Sequence, residues 1–434
     1  MSWKESYKDK IITVKEAAKK IDPGDVIATS LVTGIPYSIL DSLYDEKEKL
    51  SNVRIDMGFG VRAMRIFLPD CKGRVDVRSL FLGPIEREFI KRGSGIEAQL
   101  IHLSNTTQDR VQTHPANVVM LVGTPPDKDG YISLGMSPLD VKLIHNAQKV
   151  IIQVNENVPY IKGVDTMVHM NDVSYLVDLT EELYTVPAAN PTEIDTKIAE
   201  YIAEEVPNGA CIQLGIGGIG TAVGSFLNTK KDLGIHSEMF VESMVDLIEC
   251  GAVNNSKKNI AKEISLIGFA LGSKRMTDFL NNNDLVETRP FDWLNSPYVI
   301  GQNDRVVSIN SALAIDLTGQ VCAESVGLRQ YSGTGGQLDF VRGAAASKGG
   351  MSFIAMPSTR VDKQGKMHSK ISLALPLGSA VTTPRADVQY IVTEYGIADL
   401  KHESIENRVK RMIAIAHPDF RDSLSYEAKQ AGLI

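Results

Sequence analysis

Gln213-Leu-Gly-Ile-Gly-Gly-Ile-Gly220 is the stretch from which the fold can be read. Ahead of it, Ala210–Leu214 is a short apolar run that reads as a strand, and behind it Thr221–Leu227 reads as a helix. Strand, glycine loop and helix in that order is the building unit of an α/β protein. Gly215, Gly217 and Gly220 form a G-x-G-x-x-G pattern, and an acidic residue, Glu238, follows about 20 residues on. That is the outline of a dinucleotide fingerprint. Its physics is broader than the label. Glycines let a ligand approach the backbone closely, and exposed N–H groups at a helix start favour negative charge. A phosphate satisfies that preference, and so does a transient oxyanion. A tight turn holding no ligand has the same sequence.

Working outward, Val118–Val122, Val150–Val154 and Ile264–Leu271 are short apolar runs rich in β-branched residues. Such runs fit strands of a sheet covered on both faces. Near the start, Val14–Ile21 reads as a helix, Asp22-Pro-Gly-Asp25 as a turn and Val26–Thr29 as a strand. This alternation predicts an α/β fold with mostly parallel sheets. Thr185-Val-Pro-Ala-Ala-Asn-Pro-Thr192 reads as a linker, and Pro191-Thr-Glu-Ile-Asp195 opens a helix to about Glu205. The boundary is therefore drawn between domains 1–187 and 188–434. Each half carries the order helix, turn, strand, glycine loop, helix, from Lys15 to Leu43 and again from Lys197 to Leu227. Two similarly built α/β domains are expected, with the active site in the cleft between them.

Composition narrows the classes of function. The chain has 434 residues, too many for one ordinary core. Hydrophobic residues make up 43% and charged residues 23%, as in a folded globular protein. The net charge of −7 offers no basic stripe for nucleic acid. No apolar run approaches the roughly 20 residues of a membrane span, and Met1-Ser-Trp-Lys-Glu-Ser-Tyr-Lys-Asp-Lys10 has no apolar leader, so a cytoplasmic protein is expected. Cys71, Cys211, Cys250 and Cys322 form no CxxC pair, and the eight histidines form no metal-binding pattern. Neither a disulfide framework nor a metal site is predicted.

A second glycine-rich stretch, Ser332-Gly-Thr-Gly-Gly-Gln-Leu-Asp-Phe-Val-Arg342, could form another anion-binding backbone nest or a plain flexible turn. Together with Gly234-Ile-His-Ser-Glu-Met239 it belongs to a longer series of matching stretches. The series runs through Phe81-Leu-Gly-Pro84, Pro125–Gly135, Val154–Pro159, Pro191–Asp195, Gln213–Gly220 and His236-Ser-Glu238. It continues through Gly335–Phe340, Val381–Arg385, Val392–Ala398 and Ile415–Arg421. In number and order these stretches resemble the acetyl-CoA hydrolase/transferase family of class I CoA-transferases. The resemblance is strongest to the branch containing 4-hydroxybutyrate CoA-transferase and butyryl-CoA:acetate CoA-transferase, and it covers nearly the whole chain.

The resemblance implies a CoA-transferase acting on short-chain acyl-CoA and a carboxylate such as acetate. Coenzyme A would be a substrate, transiently covalent on Glu238, with no tightly bound cofactor. Glu238 would be the nucleophile. The backbone N–H groups of Ile216 and Gly336 would form an oxyanion hole. Gln213, Gly215, Gly217, Asn295, Ser332, Lys348 and Glu394 would help hold CoA and the reacting carboxylate. Relatives are usually homodimers or larger, so a homo-oligomer is expected. The chain departs from the family pattern at Gly218-Ile-Gly220, at Ser30–Pro36, which lacks a histidine, and at Ser369-Lys370, where an arginine often follows the serine. The first domain is expected to help set acyl specificity.

Taken alone, Ser237-Glu238 before an apolar run reads as a helix start, with Ser237 as cap. His236 reads as a structural neighbour, and Glu242 and Glu249 as the solvated face of a following helix. Two other activities are compatible with parts of the sequence. One is an acyl-CoA hydrolase, in which water intercepts the covalent intermediate. The other is a nicotinamide-dependent dehydrogenase using Gly215–Gly220, which leaves Gly335–Phe340 and Val392–Ala398 without a role.

Overall fold

A computed structural model describes residues 2–434. The chain divides into two compact units, residues up to Val186 with Leu266–Leu294, and Pro187–Ser265 with Asn295–Ile434. The linker read at Thr185–Thr192 holds the first crossing between them. The segment Leu266–Leu294, expected within the second domain, belongs to the first unit.

The first unit is built on seven parallel strands. Across the sheet they run Ile96–Ala98, Val75–Ser79, Val53–Met57, Val26–Ala28, Val118–Gly123, Lys149–Val154 and Tyr175–Asp178. All six residues of Val118–Gly123 are buried. Alternate residues serve opposite faces: Ile27, Val118 and Met120 join one core cluster, while Ala28, Val119 and Leu121 join another. A strand covered on both sides has no polar face to show, so its sequence runs apolar instead of alternating.

In the second unit the order is Gly234–Phe240, Cys211–Leu214, Val306–Ser311, Met351–Ala355 and Tyr390–Thr393, all parallel, with Gly396–Asp399 antiparallel at the end. The helix Glu193–Glu205 starts with a capping box, in which Thr192 and Asp195 satisfy each other's backbone N–H groups. In both units the first strand lies inside the sheet, with the second strand on one side and a later strand on the other. The strand order reverses there. Ligands of open α/β sheets bind beyond the carboxyl ends of the strands at such a reversal. Among the described residues, no helix is long and apolar enough to cross a membrane.

Candidate active site

In the second unit the reversal lies beside Cys211–Leu214, and the loop leaving that strand is the glycine stretch. Gly217 has φ +110°, a conformation open to glycine. A β-carbon on Gly220 would stand 2.1 Å from the Gly215 carbonyl oxygen, so the helix can begin tight against the strand only with glycine here. The helix itself spans Gly218–Phe226, three residues ahead of its sequence-predicted start, and no side chain caps it. Its first N–H groups are left to whatever enters the loop. Ile216 is 58% exposed.

Glu238 reaches the same edge from the neighbouring strand. Cys211 pairs with Gly234 and Ile212 with Ile235, so this register runs Glu238 level with Gly215. The helix-start reading of Ser237-Glu238 is corrected by this strand. Ser237 is buried and its hydroxyl donates to the Met239 carbonyl at 2.7 Å, and the helix begins only at Glu242. His236 is buried, with its ring edge-on to Phe340. Glu249 is exposed and Glu242 partly so.

Two donors grip the Glu238 carboxylate. The Asn295 amide Nδ2 donates to Oε2 at 2.8 Å, and the Gly336 backbone N–H donates as well. Gly336 caps the helix Gln337–Ala346, so the carboxylate sits at a helix N-terminus. Asn295 is fully buried, and its Oδ1 has no hydrogen-bond partner among the described residues. Removal from water pushes the Glu238 carboxyl up to about 7. The Asn295 and Gly336 hydrogen bonds oppose that rise, and the nearby Asp339 adds to it. Asp339 is buried in the first turn of the same helix. Asp339 stands within Gly335–Phe340 and is not among the site residues expected from the sequence. The signal available was its place three residues from Gly336.

The other predicted site residues are distributed as follows. Gln213 is buried and exchanges contacts with Asn310, its Oε1 accepting from Asn310 Nδ2 at 3.3 Å. Ser332 is buried, with its N–H bound to the Glu324 carbonyl. Glu394 lies just beyond the strand Tyr390–Thr393 and is held by Ser358, whose N–H and hydroxyl donate to it at 2.8 and 2.6 Å. Lys348 is exposed past the C-terminal end of Gln337–Ala346, whereas Gly336 is at its N-terminal end. Ten helical residues separate them by roughly 15 Å, so Lys348 is not part of the Glu238 cluster. Lys370, noted in the sequence only as a departure, is partly buried, donates to the Ala312 carbonyl at 3.0 Å, and is pushed down to about 8 by burial, with Glu394 pulling the other way. Tyr395, within the Val392–Ala398 stretch, packs edge-on to His417 and under Arg421.

Comparison with known proteins connects this geometry to a family. Residues 1–188 match the acetyl-CoA hydrolase/transferase N-terminal domain, and residues 272–428 match the C-terminal domain of the same family. The 4-hydroxybutyrate coenzyme A transferase of Clostridium kluyveri is 38% identical over 99% of this chain and 100% of its own. The butyryl-CoA:acetate CoA-transferase of Anaerostipes caccae is 38% identical over 99% of this chain and 98% of its own. The crystal structure of RipA from Yersinia pestis superposes with a TM-score of 0.92 at 34% identity, covering all of both chains. The resemblance read from the motifs, including its branch, is thereby borne out, and the dehydrogenase reading of Gly215–Gly220 falls away.

Proposed function

This chain belongs to the acetyl-CoA hydrolase/transferase family, and we propose that it transfers CoA between a short-chain acyl-CoA and a carboxylate such as acetate by a ping-pong route through Glu238. The observation that carries this reading is the Glu238 carboxylate itself, desolvated, gripped by Asn295 and Gly336, and level with the glycine loop.

A carboxylate in water is a poor nucleophile for a thioester, and desolvation with positioning makes it a better one. Glu238 adds to the acyl-CoA carbonyl, and the tetrahedral oxyanion collapses to a mixed anhydride and CoA thiolate. The thiolate then adds to the glutamyl carbonyl and expels the first carboxylate, leaving CoA as a thioester on Glu238. An incoming carboxylate reverses both steps. No proton is gained or lost over the cycle, so no general base is required. The Gly336 N–H is already bound to the Glu238 carboxylate, and it is suited to the oxyanion that forms on Glu238's own carbonyl. The Ile216 N–H serves the oxyanion on the acyl side. Losing one such donor costs about 3–4 kcal/mol in other enzymes.

Borohydride reduction after incubation with an acyl-CoA tests this reading. The expected result is loss of activity, with a mass change confined to the peptide that holds Glu238. Labelling elsewhere, or acyl-CoA loss at the same rate without any acceptor acid, would overturn the transferase reading.

The acid–base state of Glu238 gives a second prediction. Only the anion attacks, and its carboxyl is raised to about 7. kcat/KM for acyl-CoA is therefore expected to rise tenfold per pH unit below that value and to level off above it. A flat profile from pH 5 to 8 would show that Glu238 is not the titrating nucleophile.

A further inference from the structure

The first unit has its own strand reversal, beside Val26–Ala28, and a small buried cavity stands at it. Thr29, Ser30 and Leu31 leave that strand into the cavity, and Gly58 and Leu80 enter it from just past Val53–Met57 and Val75–Ser79. The cavity measures about 20 Å³. A single water needs roughly 10–15 Å³ by that measure, so the space suits one or two oxygen atoms.

Arg110 lines this cavity and is only 3% exposed. Its Nη1 donates to the Thr29 carbonyl at 3.2 Å, which fixes the guanidinium against the strand end. Its Nε and Nη2 have no hydrogen-bond partner among the described residues, and neither has the hydroxyl of the fully buried Thr29. Nε and Nη2 together form one edge of the guanidinium, a fork that matches the two oxygens of a carboxylate. The same chain uses that edge elsewhere. Arg54 and Arg78 both hold Asp56 with Nε and Nη2, and Arg342 holds Asp387 in the same way.

The acids around Arg110 are committed to other groups. Asp56 is held by Arg54 and Arg78, and Asp109 by Gln99 and His114. Asp140 accepts from the Lys142 N–H, and Asp292 from the N–H groups of Thr107 and Gln108. Two backbone irregularities frame the site. Arg110 stands in a π-helical turn, Asp109–Thr113, a feature frequent at functional sites. Val32, a β-branched residue, has φ +41°, the kind of strain that persists where surrounding structure enforces it.

We propose that this cavity binds the carboxylate group of a small organic acid, with the Arg110 Nε/Nη2 edge taking its two oxygens and the Thr29 hydroxyl supplying a third donor. The cavity is lined by residues of the first unit, whereas Glu238 belongs to the second, and the proposal does not depend on the reaction assigned to that residue.

Thermal unfolding of the full chain tests this, with sodium formate or acetate replacing sodium chloride stepwise at constant ionic strength. A saturable rise in Tm is expected for both carboxylates. Arg110→Lys keeps the charge but loses the fork, and should raise the half-saturating concentration at least about tenfold. Thr29→Val, equal in shape, should weaken binding several-fold, and it carries the test if the Arg110 variant does not fold. Absence of a saturable rise relative to chloride, or a rise that survives both substitutions, would overturn the assignment.

Discussion

Glu238→Gln is expected to lower CoA exchange by about 10⁴-fold or more while making the protein more stable at alkaline pH. The loss follows from removing the protein's own nucleophile in the proposed cycle, since an amide adds to a thioester far too slowly to replace it. The gain in stability follows from linkage. The folded-state carboxyl lies at about 7, above its ordinary value of 4.5. Below pH 4.5 both folded and unfolded chains carry the proton, and nothing is lost. Between 4.5 and 7 the unfolded chain ionises first, so stability falls as pH rises. Above 7 the full penalty is present, at most about 3 kcal/mol for a shift of this size. Glutamine keeps the shape and a carbonyl for the Gly336 N–H without the poorly solvated charge. Urea unfolding at pH 8 and pH 4 provides the check: the variant should exceed wild type at pH 8 and match it at pH 4. Equal stability at both values would mean that Glu238 is not held in a desolvated place. A variant that is more stable and inactive would mark the carboxylate as retained for function at the cost of stability.

Much of this was legible in the chain because α/β units write themselves locally. The apolar runs around Val118 and Val150, the glycine loop at Gly215 and the capping box at Thr192 each follow from nearest neighbours, and the structure has a strand, a turn and a helix start at those places. The repeated helix–strand–helix order predicted similar halves, and the matching position of the first strand in both sheets follows it. What failed was non-local. The chain's return to the first unit begins inside the strand Ser265–Ala270, in the middle of an apolar run with no turn or linker to mark the crossing. Glu238 misled local reading because a polar residue near the carboxyl end of a buried strand looks like the start of the next helix. Its partners lie 57 and 98 positions further along the chain, and only the family pattern linked them in advance. Nothing in the neighbourhood of Asn117 or Thr113 signals that Arg110 would be buried with one edge unpaired, because that depends on which strand ends meet above it.

Gly336→Ala is expected to lower activity steeply without unfolding the protein, and the reason separates it from the glycine beside it. Gly336 has φ −103°, a negative value within reach of alanine and outside the left-handed region that demands glycine. The obstacle is space. A β-carbon there would stand 1.9 Å from Glu238 Oε2 and 2.2 Å from Asn295 Nδ2. Both are side-chain ends, so the fold can accommodate the methyl group by pushing them aside. The change thus breaks the two contacts that hold the nucleophile and disturbs the N–H proposed to serve its oxyanion. A loss of about 10³-fold in kcat is expected, in line with removal of one oxyanion donor plus misplacement of the nucleophile. The acid limb of the pH profile should move as well, because the Gly336 and Asn295 hydrogen bonds are what restrain the Glu238 carboxyl from rising further. Gly335→Ala is the control. Gly335 has φ +63° and open space where a β-carbon would go. Alanine there meets no side chain and costs about 1–2 kcal/mol of backbone strain, so stability should fall while the pH profile keeps its midpoint. If the Gly336 variant instead retained kcat and the midpoint, the contact between its N–H and Glu238 would have no part in the chemistry.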